Sequence, residues 1–205
     1  MSLLSLEHSP LAYCLDFGLY ALLCLAAGTV LWVGSPPGSG LALWLWVLAG
    51  MGLWTLLEYL LHRYVLHGLA PFSRWHAEHH LRPRALVASP VAVTLSLFVL
   101  LAALPAWWLL GRWAALAVTL GLMLNYLAYG LLHHATHHPM PAWIGKTAWM
   151  RQRRLCHALH HAAYPNRGRK AVGSPCHFGV SSSFWDTVFG TNALARSIRA
   201  KQKNI

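Results

Sequence analysis

The chain has 205 residues, of which 57% are hydrophobic and only 10% charged, with a formal net charge of +11. Soluble domains carry roughly 25% charged residues, so the composition excludes a water-soluble globular design. The basic excess invites a nucleic-acid partner, but long apolar runs exclude that reading and turn the basic residues into orientation signals.

The N-terminus, MSLLSLEHSP, carries no Lys or Arg ahead of the first apolar run, so that run is expected to be a retained span rather than a cleaved signal peptide. Four stretches are long enough to cross roughly 30 Å of hydrocarbon. They run over about 11–33, 41–61, 91–110 and 113–132. The segment GSPPGSG over 34–40 is a turn-forming break between the first two. Pro105 predicts a kink in the third, and Gly111 with Arg112 leaves room only for a tight hairpin before the fourth. The tail over 139–205 is basic, with Trp143 and Trp149 near Arg151, Arg153 and Arg154, and is expected to form short helices against lipid headgroups.

Among the 16 Lys and Arg, Arg112 alone falls on the side of the 34–40 linker. The positive-inside rule therefore predicts cytosolic termini, a cytosolic loop over 61–90 and a cytosolic tail. Cys14, Cys24, Cys156 and Cys176 form no CxxC pair, so neither a disulfide framework nor a thiolate zinc site is expected. The Leu-, Ala-, Trp- and Arg-rich composition suggests a bacterial inner membrane, and the ending KQKNI, similar to a retrieval signal of the endoplasmic reticulum, weighs less.

The chemistry lies in histidine. Of 14 His, most fall in four clusters: His62 and His67; His76, His79 and His80; His133, His134, His137 and His138; and His157, His160 and His161. Residues three and four apart share a helix face, so each HxxHH points three imidazoles one way. His133 and His137 form one such pair, the preferred one. His134 and His138 form another, rotated by about 100°. His62 and His67, five apart, fit a single α-helical face poorly. Two clusters lie between the second and third spans and two follow the fourth, so the hairpin returns all four to one membrane face. Ten nitrogen ligands exceed the four of a structural zinc site and suit two ions of higher coordination. Glu58, one turn before His62, is either a carboxylate orienting that histidine or a helix-end acid meeting water. Glu78 and His177 are further candidates beside the metals, and Asn125, Tyr126 and Tyr129 read as helix-packing polar residues.

In order, HxxxxH, HxxHH, HxxxH(H) and HxxHH resemble the fatty acid hydroxylase / sterol desaturase superfamily. EYLLHRYVLH resembles its EYxxHRxxxH opening, and HFGVSSSFWDTVFGT its closing FGxSSxxWDxxFGT signature. The resemblance covers roughly 58–191. It implies an all-α, integral membrane four-helix bundle, with a cytosolic helical cap and a di-iron site. It further implies O2 as co-substrate, with zinc able to replace iron in purified protein. Its ligand positions fall on His62, His67, His76, His79, His80, His133, His137, His157, His160 and His161, while His134 departs from the commoner pattern. The expected reaction is hydroxylation or desaturation of a fatty acyl or sterol-like lipid, within a single domain over 1–205. A fused cytochrome b5 domain has no room in this length, so a separate ferredoxin- or cytochrome b5-like donor is expected. A carotenoid ring hydroxylase of the same superfamily is the nearer alternative. A metal transporter is the remoter one, because transporters set their ligands at the membrane midplane.

Overall fold

A computed structural model describes residues 7–87, 89–164, 171–195 and 197. The basic stretch 165–170 and the KQKNI ending lie outside the described residues. The described structure is helical, with one isolated bridge between Glu7 and Val87. Four helices are long and apolar enough to span a membrane: Pro10–Gly34, Gly40–Leu66, Val91–Leu110 and Arg112–His137. The described residues divide into two compact units, one within 1–54 and 85–128, the other within 55–84 and 129–205.

In the first unit, α1 (Pro10–Gly34) opens with Ser9, whose hydroxyl accepts from the Ala12 N–H at 3.2 Å, and with Pro10 in the first turn. Both devices suit a helix start, where backbone N–H groups lack helical partners. α2 (Gly40–Leu60) follows the 35–39 turn, in which Gly38 has φ +81°. The third span is α4 (Val91–Phe98), a π-helical turn over Val99–Ala103, and α5 (Leu104–Leu110). Pro105 lacks an N–H and its ring crowds the preceding turn. The expected kink site is therefore a change of register: the wider turn precedes the proline. Gly111, at φ +77°, reverses the chain into α6 (Arg112–His137).

The core of this unit holds Tyr20, Cys24 and Leu31 of α1, Leu43 and Val47 of α2, and Ala117, Leu120 and Met123 of α6. Helices α2 and α6 touch through glycine: a Cβ at Gly50 would strike the Val118 carbonyl, and one at Gly121 the Val47 carbonyl. Asn125 donates to the Met51 carbonyl at 2.8 Å, and Tyr126 packs edge-on to Tyr20 and Trp54, the packing roles expected of them. Outward faces carry Leu22, Leu25, Trp32, Trp44, Leu45, Leu101 and Trp108, all exposed. Such surfaces suit lipid as solvent, because a soluble monomer rarely exposes contiguous apolar patches this extensive.

The second unit takes the ends of α2 and α6, α3 (Phe72–Leu81), α7 (Ala142–Gly145), α8 (Ala148–Ala162) and α9 (Phe184–Val188). Here α2 continues past its apolar run as a π-helical turn over Leu61–Leu66. Arg154 donates to the carbonyls of Ala135 and His138 at 3.1–3.2 Å, serving acceptors that the end of α6 leaves open. Trp185 donates to Thr55 at 3.0 Å, and the Tyr59 hydroxyl meets both Arg63 (2.6 Å) and Thr191 (3.1 Å).

Candidate metal centre

The π-helical turn accounts for the first histidine pair. Its backbone bonds reach five residues rather than four, so five-residue spacing brings His62 and His67 onto one face, with ring centroids 5.2 Å apart and 24° between planes. The poor α-helical match was a property of the wrong helix type. On α3 and α8 the HxxHH spacing acts as expected, and His76, His79, His80, His157 and His160 are buried.

Nine imidazoles gather in two groups whose ligand nitrogens lie within 4.8 Å of one another: His62, His67, His76, His80 and His160, and separately His79, His133, His137 and His157. The tenth expected ligand, His161, belongs to neither by that measure. Its Nε2 lies 3.1 Å from that of His157, while its ring stacks on His80 at 4.1 Å. The groups adjoin, with His76 and His79 rings 5.6 Å apart.

The nitrogens face one another in a way that hydrogen bonding cannot satisfy. His76 Nε2 lies 3.0 Å from His62 Nε2 and 3.1 Å from His80 Nε2. His157 Nε2 lies 2.7 Å from His137 Nε2 and 3.1 Å from His161 Nε2. One imidazole nitrogen carries at most one proton, so it can donate to only one of two such neighbours. His62 and His160 sharpen the point. Their Nδ1 atoms donate to the carbonyls of Phe178 (2.6 Å) and Cys176 (2.9 Å). In the neutral ring this leaves Nε2 as a bare lone pair. Those lone pairs face His76 Nε2 and, at 3.1 Å, His67 Nε2. Convergent lone pairs call for a cation. Two nitrogens bound at about 2.1 Å to one ion stand about 3.0 Å apart at a right angle and about 3.4 Å apart in a tetrahedron. Neighbouring nitrogens 2.7–3.1 Å apart, in groups no wider than 4.8 Å, are close enough to share an ion.

Protonation favours ligation as well. Burial first, and neighbouring imidazoles second, push His67 and His161 down to about 3 and His79 to about 2. The same causes hold His76, His80, His157 and His160 well below the ordinary histidine value. All are neutral at physiological pH, as a metal ligand must be. The Tyr164 ring stacks on His67 at 4.0 Å, and burial raises its phenol to about 12, so it stays protonated.

Several expected neighbours of the metals lie elsewhere. His134 and His138 stack on each other at 4.0 Å and 6°, outside both groups, so the His133/His137 register is the one that faces the other clusters. Glu58 makes no direct bond to His62: its carboxylate accepts from the Ser181 N–H at 2.8 Å and from the Ser181 hydroxyl. Glu78 lies 3.5 Å from Arg82, the residue that caps the end of α3, and both are partly exposed. His177 is buried at φ +53°, a left-handed conformation uncommon for a side-chain-bearing residue, and lies in neither group.

Asp186, Phe178, Cys176 and Tyr164 went unassigned in the sequence. The first two lie in the closing signature, but carbonyl partners leave no spacing pattern to read.

A model of the family described as fatty acid hydroxylase matches residues 47–191. A dihydroceramide fatty acyl 2-hydroxylase of Arabidopsis thaliana is 32% identical over 157 residues, covering 69% of this chain and 58% of that protein. A fatty acid 2-hydroxylase of Rattus norvegicus is 30% identical, covering 69% of this chain and 38% of its own length. A ceramide very long chain fatty acid hydroxylase of Saccharomyces cerevisiae is 31% identical, covering 69% and 36%. The chain thus spans well under two thirds of these relatives. The solved structure described as full-length scs7p, with only the hydroxylase domain visible, shares the fold, with a TM-score of 0.69 at 22% identity over 91% of this chain and 67% of that one.

Proposed function

Because the chain belongs to the fatty acid hydroxylase family, we propose that it is a membrane-bound, di-iron hydroxylase of a fatty acyl lipid, with O2 as oxidant. The observation that carries this reading is the convergence of nine imidazoles in two adjoining groups inside a protein with four membrane-spanning helices. His62, His67, His76, His80 and His160 would hold one ion. His79, His133, His137 and His157 would hold the other, with His161 completing it from 3.1 Å beyond His157. Imidazole suits iron as well as zinc, which supports iron as the working metal and zinc as its replacement in purified protein.

When bound, the iron pair supplies the dioxygen activation that an unactivated C–H bond requires. The protein's own part is to keep the ligand imidazoles neutral, to fix the proton of His62 and His160 on Nδ1, and to exclude water by burial. The overall balance is R–H + O2 + 2 electrons + 2 protons to R–OH + H2O. A one-electron donor protein of the ferredoxin or cytochrome b5 class supplies the electrons. The relatives named above are fatty acyl and ceramide hydroxylases, which supports an acyl chain, and its 2-position, over a carotenoid ring.

The charge asymmetry supports cytosolic termini: in intact cells an impermeant thiol reagent should label Pro37→Cys but not Ser197→Cys, and the reverse pattern would overturn the topology. The relatives named are eukaryotic, so a bacterial inner membrane rests on composition alone. Cells expressing the protein with a compatible reductase should accumulate a 2-hydroxy acyl lipid, and His79→Ala cells should not. An unchanged acyl profile, with hydroxylated carotenoid in a carotenoid-producing host, would overturn the substrate.

A further inference from the structure

The closing loop over 176–191 is held by buried polar contacts within itself and to the helices that carry His62 and His160. Asp186 is fully buried. It accepts from the N–H groups of Phe178 (2.8 Å) and Gly179 (2.9 Å) and from the Thr191 hydroxyl (2.7 Å). Glu58, at 3% exposure, takes the Ser181 N–H and hydroxyl. Arg153, buried on α8, donates to Ser183 at 2.8 Å. The loop is therefore pinned to the helix that carries His62 through Glu58, and to the helix that carries His160 through Arg153.

The pinned segment presents two carbonyls, one on each side of His177. Phe178 O receives His62 Nδ1 and Cys176 O receives His160 Nδ1. The left-handed conformation of His177 stands between them. A Cβ at Gly179 would strike the Ser182 carbonyl and come within 3.0 Å of Asp186 Oδ2, so the tight turn admits only glycine. Both oriented histidines belong to the five-histidine group. In the other group, His157 Nδ1 is buried without a hydrogen-bond partner, and no described loop carbonyl receives Nδ1 of His79, His133 or His137.

We propose that loop 176–191 is a one-sided clamp, with Asp186 and Glu58 as positioning residues that aim His62 and His160 at one metal position and leave the other to itself. The clamp rests on the two-metal reading above. Asp186→Asn replaces an acceptor of two N–H groups with an amide whose own N–H would oppose one of them. Partners of this kind change metal affinity by 10–100-fold.

The test uses full-length protein reconstituted anaerobically with Fe(II) in detergent, followed by elemental analysis and stepwise removal with a chromophoric chelator. Wild type should hold close to two ions. His80→Ala marks the removal step that belongs to the five-histidine group. Asp186→Asn, Glu58→Gln and Gly179→Ala should each release one ion at chelator concentrations 10–100-fold lower, in that same step, and leave the second ion unmoved. Met150→Ala, fully buried on α8 and outside the clamp, controls for general destabilisation: it should lower the melting temperature and move neither step. The clamp is overturned if Asp186→Asn loses both ions together, if it retains both at wild-type affinity, or if Met150→Ala reproduces the one-ion loss. A wild type that holds a single ion instead refutes the two-metal reading itself.

Discussion

His137 and His138 are adjacent in sequence, yet the structure gives them opposite fates, and that contrast can be measured. His137 Nε2 lies 2.7 Å from His157 Nε2 within the second group. His138 stacks on His134, and its carbonyl serves Arg154. Removing His137 takes one nitrogen from a set of four or five. Four-ligand zinc sites bind with roughly 10–16 kcal/mol, so one ligand is worth about 3 kcal/mol, or on the order of a hundredfold in affinity. Removing His138 forfeits a ring contact worth about 1 kcal/mol and no ligand. In a competition titration on protein in detergent, His137→Ala should weaken one of two ions by about two orders of magnitude. His138→Ala should shift the melting temperature slightly and bind both ions as wild type does. Equal loss of affinity in the two variants would refute the register and the assignment of the third cluster built on it.

Acid should loosen the site, and the sign follows from the depressed values. Below about 6.5, the ordinary histidine value, the unfolded chain binds protons that His79, held at about 2, refuses when folded. Stability present at neutral pH is therefore lost as pH falls, by about 1.4 kcal/mol per pH unit for a buried histidine of this kind. Thermal unfolding and metal content compared at pH 7.5 and 5.5 should both fall at the lower pH, and a protein equally stable at both would contradict the burial. In the first unit, Gly121→Ala places a Cβ against the Val47 carbonyl. Overpacking of about 1–3 kcal/mol should outweigh the gain of about 1 kcal/mol from alanine's helix propensity. Gly18→Ala meets nothing within 4 Å and should be neutral or stabilising. Melting curves that move alike for both would refute the close α2–α6 contact.

The spans were legible because hydrocarbon thickness imposes a length and a composition that no other environment demands. The expected 91–110 matches the observed Val91–Leu110, and the first span differs by one residue at each end. The second and fourth were read too short, ending at 61 and 132 where the helices run on to Leu66 and His137. Hydropathy drops there because histidine enters, but helical hydrogen bonding does not stop where lipid does. The histidine clusters were equally legible, since HxxHH is a local pattern that an α-helix converts directly into a shared face.

The sequence by itself determined an all-helical membrane protein with a histidine-rich site, because span length and helical periodicity are properties of neighbours in the chain. Tertiary structure alone decided three matters. It set the already preferred His133 and His137 against the clusters of α3 and α8 and left His134 and His138 outside both groups. It gave His62 and His67 a common face through a π-helical turn that no residue spacing announced. It also moved Glu58 from the histidine one turn away to Ser181, 123 positions along the chain. A buried carboxylate goes to whichever N–H and hydroxyl the fold leaves without a partner, and only the packed structure says which those are.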